Sequence, residues 1–329
     1  MRGFQFGLET LAAPGVVVAA NRRIANGTFS EKRNNNIKKG AAEGHKSAIG
    51  TQRGKRWMDW KCSGPIGYTL MPYWYAMLLS AAGGQTPTAT TPGGGFIYNY
   101  QMNSTLADTP QTMTFEYGNN QGANSRFGFG TMADMTIKVN DSAADYDCSG
   151  FGSYATKNIT MTTTPTVLAP VLANMTDFRV NFATTFAGLS TGSPKLLTAR
   201  DIELNVKSKY KSVFFIDDAT ISLGGILEKR PDITGKVIVA EGTESDYFLS
   251  AMETQSSPVY LQLQGTGPII TAGTPNIYYL LKYTVAIFLN NEDETDDSDL
   301  FSGSYDFYSG EDTVNGDLTV QCITTSATL

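Results

Sequence analysis

Short runs of strand length recur along almost the whole chain, and most of them alternate apolar with polar residues or are rich in β-branched ones. They are Gly15–Ala20, Thr112–Tyr117, Met132–Val139, Asn158–Thr163, Phe178–Phe186 and Ile202–Lys207, followed by Ser212–Ile216, Ile233–Ala240, Val259–Gln264, Leu280–Leu289 and Leu318–Ile323. Bounded by turn-forming residues, such runs read as strands. In Met132–Val139 the residues Met135, Ile137 and Val139 share one face and Asp134, Thr136 and Lys138 the other. That period of two belongs to a half-buried strand of an antiparallel sheet.

Helical spacing occurs in only two short stretches. Tyr73–Ala82 follows Pro72 and places Trp74, Met77, Leu78 and Ala81 on one side; Ser245–Glu253 does the same with Tyr247, Phe248, Ala251 and Met252. Both are expected to be amphipathic helices covering a sheet. Thr243, Glu244, Ser245 and Asp246 supply side-chain acceptors for the first-turn amides of the second.

The expectation is therefore a mostly β protein. Of its 329 residues, 41% are hydrophobic and 17% charged, with 33 glycines and 13 prolines in no fixed repeat. That composition suits a folded, loop-rich chain and excludes collagen-like, coiled-coil and disordered classes. The length suits two units of about 150 residues. Gln85–Gly95 reads as a flexible loop, and Gly188–Pro194 is the break at which units 1–192 and 193–329 are expected to divide. No run reaches the roughly 20 apolar residues of a membrane-spanning helix, so a soluble protein made in the cytoplasm is expected.

An internal repeat supports the division. Trp60-Lys61-Cys62-Ser63-Gly64-Pro65-Ile66, followed by Tyr75-Ala76-Met77-Leu78-Leu79-Ser80-Ala81, parallels Asp232-Ile233-Thr234-Gly235-Lys236-Val237, followed by Asp246-Tyr247-Phe248-Leu249-Ser250-Ala251. Gly64 and Gly235 are 171 apart and Ser80 and Ser250 are 170 apart, so one gap aligns both blocks. In each half an apolar strand follows, Thr112–Tyr117 or Val259–Leu263. Duplication of one β-sandwich unit accounts for this order.

Charge is distributed unevenly. Residues 1–61 hold 12 Lys/Arg against 4 Asp/Glu, which leaves 13 against 27 for the remainder. The basic stretch 22–61 reads as a long projecting arm or loop carrying Arg22, Arg23, Lys32, Arg33, Lys38, Lys39, Arg53, Lys55 and Arg56. No basic residue follows Lys282, and the acidic groups after it include Asp293, Glu294, Asp296, Asp297 and Asp299 in what reads as a solvated loop. A chain with opposite charge at its two ends attracts copies of itself head to tail, which builds rings or filaments. The basic arm taken alone also suits nucleic acid, but a sequence pI near 4.9 does not.

The residues for common chemistries are sparse. Cys62, Cys148 and Cys322 are far apart and odd in number, and His45 is the single histidine, so neither a disulfide framework nor a zinc site is expected. Gly93-Gly94-Gly95 lacks the lysine of a phosphate loop, no Gly-x-Ser-x-Gly elbow occurs, and Gly128-Phe129-Gly130 lacks a third glycine at dinucleotide-binding spacing. The acids of 292–299 lack the glycine and terminal glutamate of a calcium loop. No catalytic residue, metal or cofactor is expected. Trp57, Trp60, Tyr68, Tyr73, Trp74 and Tyr75 suit core packing or subunit contact more than sugar binding.

The chain resembles the major tail tube proteins of long, non-contractile-tailed bacteriophages, in a duplicated form. The resemblance rests on Gly7-Leu8-Glu9-Thr10 through Pro14–Arg23, the block around Ser63-Gly64, Asp232–Val237, Tyr283–Ile287 and Asp317–Cys322, and covers nearly the whole chain by pattern and order. It implies two tandem antiparallel β-sandwich units, each with a short flanking α-helix. It also implies self-assembly into stacked rings around a DNA channel, with three subunits per ring favoured over six. The tape measure and the tail tip or terminator proteins would be partners, DNA would pass without sequence-specific binding, and the location would be the virion tail. The basic arm would reach the next ring, and acids would line the channel or receive the arm. A β-sandwich carbohydrate-binding or adhesion module is the alternative, with a glycoside hydrolase behind it.

Overall fold

The computed structural model describes residues 2–40, 50–79, 86–102, 110–119, 122–189, 195–214, 223–240, 242–254, 258–297 and 300–329. The chain is mostly β, as the alternating runs predict. In the first third come β1 (Arg2–Leu8), β2 (Arg22–Ile24), β3 (Thr28–Gly40), β4 (Gly50–Pro65), α1 (Met71–Leu78), β5 (Thr88–Ala89) and β6 (Phe96–Met102). The middle holds β7 (Met113–Asn119), β8 (Ser125–Val139), β9 (Ala144–Gly152), β10 (Thr156–Lys157), β11 (Thr166–Leu168), β12 (Phe178–Ala183), β13 (Lys195–Leu197) and β14 (Ala199–Lys207). The rest comprises β15 (Tyr210–Val213), β16 (Gly225–Glu228), β17 (Asp232–Ala240), α2 (Thr243–Thr254), β18 (Val259–Thr271), β19 (Ile277–Asp297), β20 (Leu300–Ser309) and β21 (Leu318–Thr324).

Two of the expected strands are loops, and the hydrogen bonds say why. In 15–20 the amides of Gly15, Val18 and Ala20 bond to the side chains of Glu9, Thr114 and Thr162 instead of to a neighbouring strand. In 158–163 the Thr162 amide bonds to Glu116, and Asn158 adopts φ +56°, which ends a strand. An alternating sequence does not reveal that side chains will take over the ladder's role.

The described residues of the basic stretch 22–61, which are 22–40 and 50–61, are mostly strand and not loop. They form β2 and then a long hairpin in which β3 pairs with β4 from Thr28↔Ser63 to Gly40↔Gly50. Phe29 anchors its base by stacking on Phe4 at 3.8 Å between ring centres. The acids Glu292–Asp297 likewise lie on a strand, paired with β20 as far as Asp297↔Leu300.

Of the two helices, α1 departs from the amphipathic expectation and α2 meets it. All eight residues of α1 are buried, so it is a core element and not an amphipathic cover, and residues 80–82 of the expected helix lie outside the described residues. Trp74 of α1 lies 5.7 Å from Phe6, 6.3 Å from Trp60 and 6.4 Å from Tyr146 between ring centres. Of the aromatic block, Trp60, Tyr68, Tyr73, Trp74 and Tyr75 are buried, which assigns it to packing. α2 is half-exposed and packs Phe248 against Phe182 and Tyr305, 5.0 and 5.7 Å away.

The break expected at 192/193 does not separate two hydrogen-bonded sheets. β8 pairs with β14, β12 with β18 and β6 with β21, each pairing joining residues from opposite sides of it. One cluster of buried side chains runs through both halves, and the Tyr75 and Tyr283 hydroxyls meet within it.

Candidate assembly edges

Following the hydrogen bonds from β3 gives an eight-stranded antiparallel ribbon in the order β3-β4-β9-β8-β14-β17-β20-β19. It consists of the same four-stranded block twice: β3-β4-β9-β8, then β14-β17-β20-β19. Gly64 on β4 faces Tyr146 on β9, and Gly235 on β17 faces Phe307 on β20. The repeat legible in sequence at Gly64 and Gly235 thus extends to the partner strand. At Gly235 the aromatic ring opposite fills the space the missing side chain leaves, whereas at Gly64 the backbone of Gly27 occupies it. A Cβ at Gly235 would lie 2.3 Å from the Phe307 ring and 2.5 Å from the Glu203 carbonyl, so no other residue fits there without displacement.

The neighbouring pairings agree. Tyr146 faces Ile137 on β8, and Phe307 faces Leu289 on β19. The N-terminal halves of β8 and β19 leave the ribbon to pair with β7 and β18, which in turn pair with β1 and β12. Each of the two long strands carries a bulge, at Ala133 and Asn290. Bulges bend and twist a strand, which suits one passing from one sheet into another.

Between the blocks lies a seam, β8 against β14, from Ile202↔Val139 to Lys207↔Asp134. On one face Ile202, Leu204 and Val206 meet Val139, Ile137 and Met135, all buried. At about 1.5–3 kcal/mol each, burial of six such side chains contributes at most about 18 kcal/mol. On the other face Lys138 Nζ sits 3.7 Å from Asp201 and 3.9 Å from Glu203, and the Thr136 hydroxyl donates to Asn205 at 2.6 Å. Burial raises the Asp201 carboxyl above its ordinary pKa, with Lys138 opposing. These exposed pairs set register more than stability.

The ribbon ends on two edges. Among the described residues β3 has β4 as its only ladder partner, and β19 beyond Ile287 has only β20. By the repeat, the outer edge of β3 corresponds to the edge of β14 that meets β8. The open edge of β19 corresponds to the edge of β8 that meets β14. The chain therefore joins these two kinds of edge once internally and leaves one of each unpaired.

The sequence-predicted residues divide between these places. Lys32, Arg33, Lys38 and Lys39 are on β3, and Arg53, Lys55 and Arg56 on β4, with Lys32↔Asp59 and Ile37↔Arg53 among the cross-strand pairs. Arg22 and Arg23 are not on this hairpin: β2 is held between β1 and β11, and Arg22 Nε donates to the Tyr73 hydroxyl at 3.3 Å. Asp293, Glu294, Asp296 and Asp297 are on β19; Asp299 lies outside the described residues, as does His45. Cys62 and Cys148 face each other across β4 and β9, while Cys322 is on β21, all three buried. Among the described residues no group of three or more His, Cys, Asp or Glu is placed to hold a metal ion, and no helix is long and apolar enough to cross a membrane. The seam itself escapes sequence reading, because Met135–Val139 and Ile202–Val206 are ordinary alternating runs that do not name their partner. No protein-family model matches the chain, and no curated protein matches it.

Proposed function

We propose that the chain is the repeating structural subunit of a bacteriophage tail tube of the long, non-contractile type, built of two tandem β-sandwich units. The observation that carries this reading is the eight-stranded ribbon whose two open edges are, by its own internal repeat, the two halves of a seam it already makes once. A strand edge left open is a template for pairing with another chain, and repeated pairing that closes on itself removes the hazard. A heterologous contact of this kind generates a ring or a filament.

Three copies would close six equivalent blocks into one ring. A barrel with that many strands is wider than the roughly 16–18-stranded barrels that already leave an aqueous channel. Beyond residue 61 acids outnumber bases 27 to 13, a surplus that repels phosphate and lets DNA slide. The role is passive, without catalysis or cofactor, and DNA, the tape measure and the tail tip or terminator proteins are the partners.

Negative-stain electron microscopy with light scattering on the purified chain tests this. Rings or tubes with a central channel and a mass per ring of three chains are expected. A monomer at every concentration and salt, with glycan binding in its place, would transfer the assignment to a β-sandwich binding module.

A further inference from the structure

The sheet into which the N-terminal half of β19 passes carries a polar cleft on the face turned away from the core. β12, β18, β19, β21 and β6 pair in that order, and along each strand successive side chains alternate between the two faces. Leu263, Tyr283 and Val320 belong to the buried cluster. Their neighbours on the other face are amides, hydroxyls and one cation. Register sets these in neighbouring rows: Lys282, Gln321 and Asn99 are successive cross-strand partners, and so are Gln262, Thr284 and Thr319.

Both rows border a cleft of about 580 Å³, a size that suits a small ligand. The segment 184–189, which follows β12, closes one side with Phe186 and Leu189, and the Phe186 ring stands edge-on to Tyr260 at 5.7 Å. Gln262 and Thr284 are buried although they lie on the outward face. The bond between them is long, 3.4 Å from Gln262 Nε2 to Thr284 Oγ1, so most of the amide's bonding capacity is left for a ligand. Gln321 Nε2 donates to Asn99 Oδ1 at 3.0 Å, which leaves the Gln321 carbonyl oxygen and the Asn99 amino group to bond elsewhere.

Charge in the cleft is one-sided. Among the described residues that line it, Lys282 alone is charged. Its side chain has neither an ion pair nor a hydrogen bond among the described residues, and the charge that acts on it is a second cation, Arg179, two strands away through Gln264. Burial, with Arg179 adding to it, pushes the Lys282 ammonium below its ordinary pKa. A half-buried ammonium without a counterion is unfavourable, and a bound anion would offset that.

The groups around Lys282 define the rest of the ligand. Amides and hydroxyls both donate and accept, as sugar hydroxyls do; a bare phosphate or carboxylate only accepts and would leave the carbonyl oxygens of Gln262 and Gln321 unpaired. Phe186 offers an apolar wall for the C–H face of a sugar ring. We propose that this cleft binds an acidic saccharide unit, with its anionic group on Lys282 and its ring hydroxyls on Gln262, Thr284, Gln321 and Asn99. A uronic acid and a sugar phosphate share that chemistry. The site uses neither open edge of the ribbon, so it stands independently of assembly.

Saturation-transfer nuclear magnetic resonance on the full-length chain tests this, with glucuronate, glucose 6-phosphate, glucose and inorganic phosphate as probes. At least one of the two acidic sugars should bind saturably, with glucose and inorganic phosphate at least about tenfold weaker. The tighter of the two tells carboxylate from phosphate. Lys282→Gln should weaken that binding by about tenfold or more, and Lys282→Arg should stay within about threefold of the parent. No saturable binding of either acidic sugar, glucose or inorganic phosphate binding as tightly as they do, or a Lys282→Gln variant that binds like the parent would each overturn the proposal. Should Lys282→Gln lose its far-ultraviolet β signal, Gln321→Ala and Asn99→Ala decide the same question, each with an expected loss of about threefold or more. Binding by rings or tubes adds a saccharide site to an assembled subunit. Binding by a chain that never assembles overturns the tail-tube reading and leaves the site standing.

Discussion

At the scale of single residues, the most consequential side chains are buried carboxylates that replace missing ladder bonds. Glu9, 2% exposed, accepts from the amides of Gly15 at 2.6 Å and Phe129 at 2.9 Å and from the hydroxyls of Thr112 at 2.7 Å and Thr114 at 2.9 Å. Glu9→Ala strands these donors, each costing about 1–3 kcal/mol when buried without a partner, so a loss of at least ~3 kcal/mol in urea unfolding is expected. A change under ~1 kcal/mol would show that the 10–20 loop is held by other means. Asp312 offers a pH-dependent counterpart. Burial opposes its ionisation, but bonds from the Asn315 amide and side chain, the Tyr260 hydroxyl and the Val314 amide outweigh that and hold the carboxyl below its ordinary pKa. The folded state thus binds fewer protons than the unfolded one below about pH 4, and the stabilisation present above that value fades as pH falls through the lowered pKa. Asp312→Asn should therefore lie furthest below the parent at neutral pH and converge with it in acid. A gap that widens on acidification would contradict the assignment.

At the scale of elements, the seam and α1 carry the argument. Leu204 lies in the middle of β14, buried against the β8 side chains, so Leu204→Ala is expected to cost about 2–5 kcal/mol. Lys138→Ala, on the exposed face of the same seam, should cost less than about 1 kcal/mol. Comparable losses from both would mean that charge and not packing holds the blocks together. Trp74→Ala at the centre of α1 should cost about 3–5 kcal/mol, measured in the same urea titration. Much of this was legible at element level: most of the period-two runs are strands, and both helices occur where helical spacing placed them. Strand β3 was not, because its polar sequence carries little apolar alternation, and of β4 only Trp60–Pro65 was, through the repeat; β9 and β20 were passed over although Ala144, Tyr146 and Cys148, and Tyr305 and Phe307, alternate with polar residues, because their short apolar sets are broken by glycine, serine and aspartate.

At the scale of the whole molecule, four strand pairings among the described residues cross the 192/193 break and one buried cluster spans it. The unassembled chain is therefore expected to unfold in a single calorimetric transition whose van't Hoff and calorimetric enthalpies agree. Two resolved transitions would show that the halves are energetically separate. The amino-acid sequence by itself determined the β class, the internal repeat at Gly64 and Gly235, and the separation of basic from acidic segments, because periodicity, spacing and charge are properties of local sequence. Only the tertiary structure decided which strand meets which, that α1 is buried on all sides, and that the charged segments are hairpins at the two edges of one ribbon. Those facts depend on contacts between residues far apart in the chain, and an alternating strand is compatible with many partners until packing selects one.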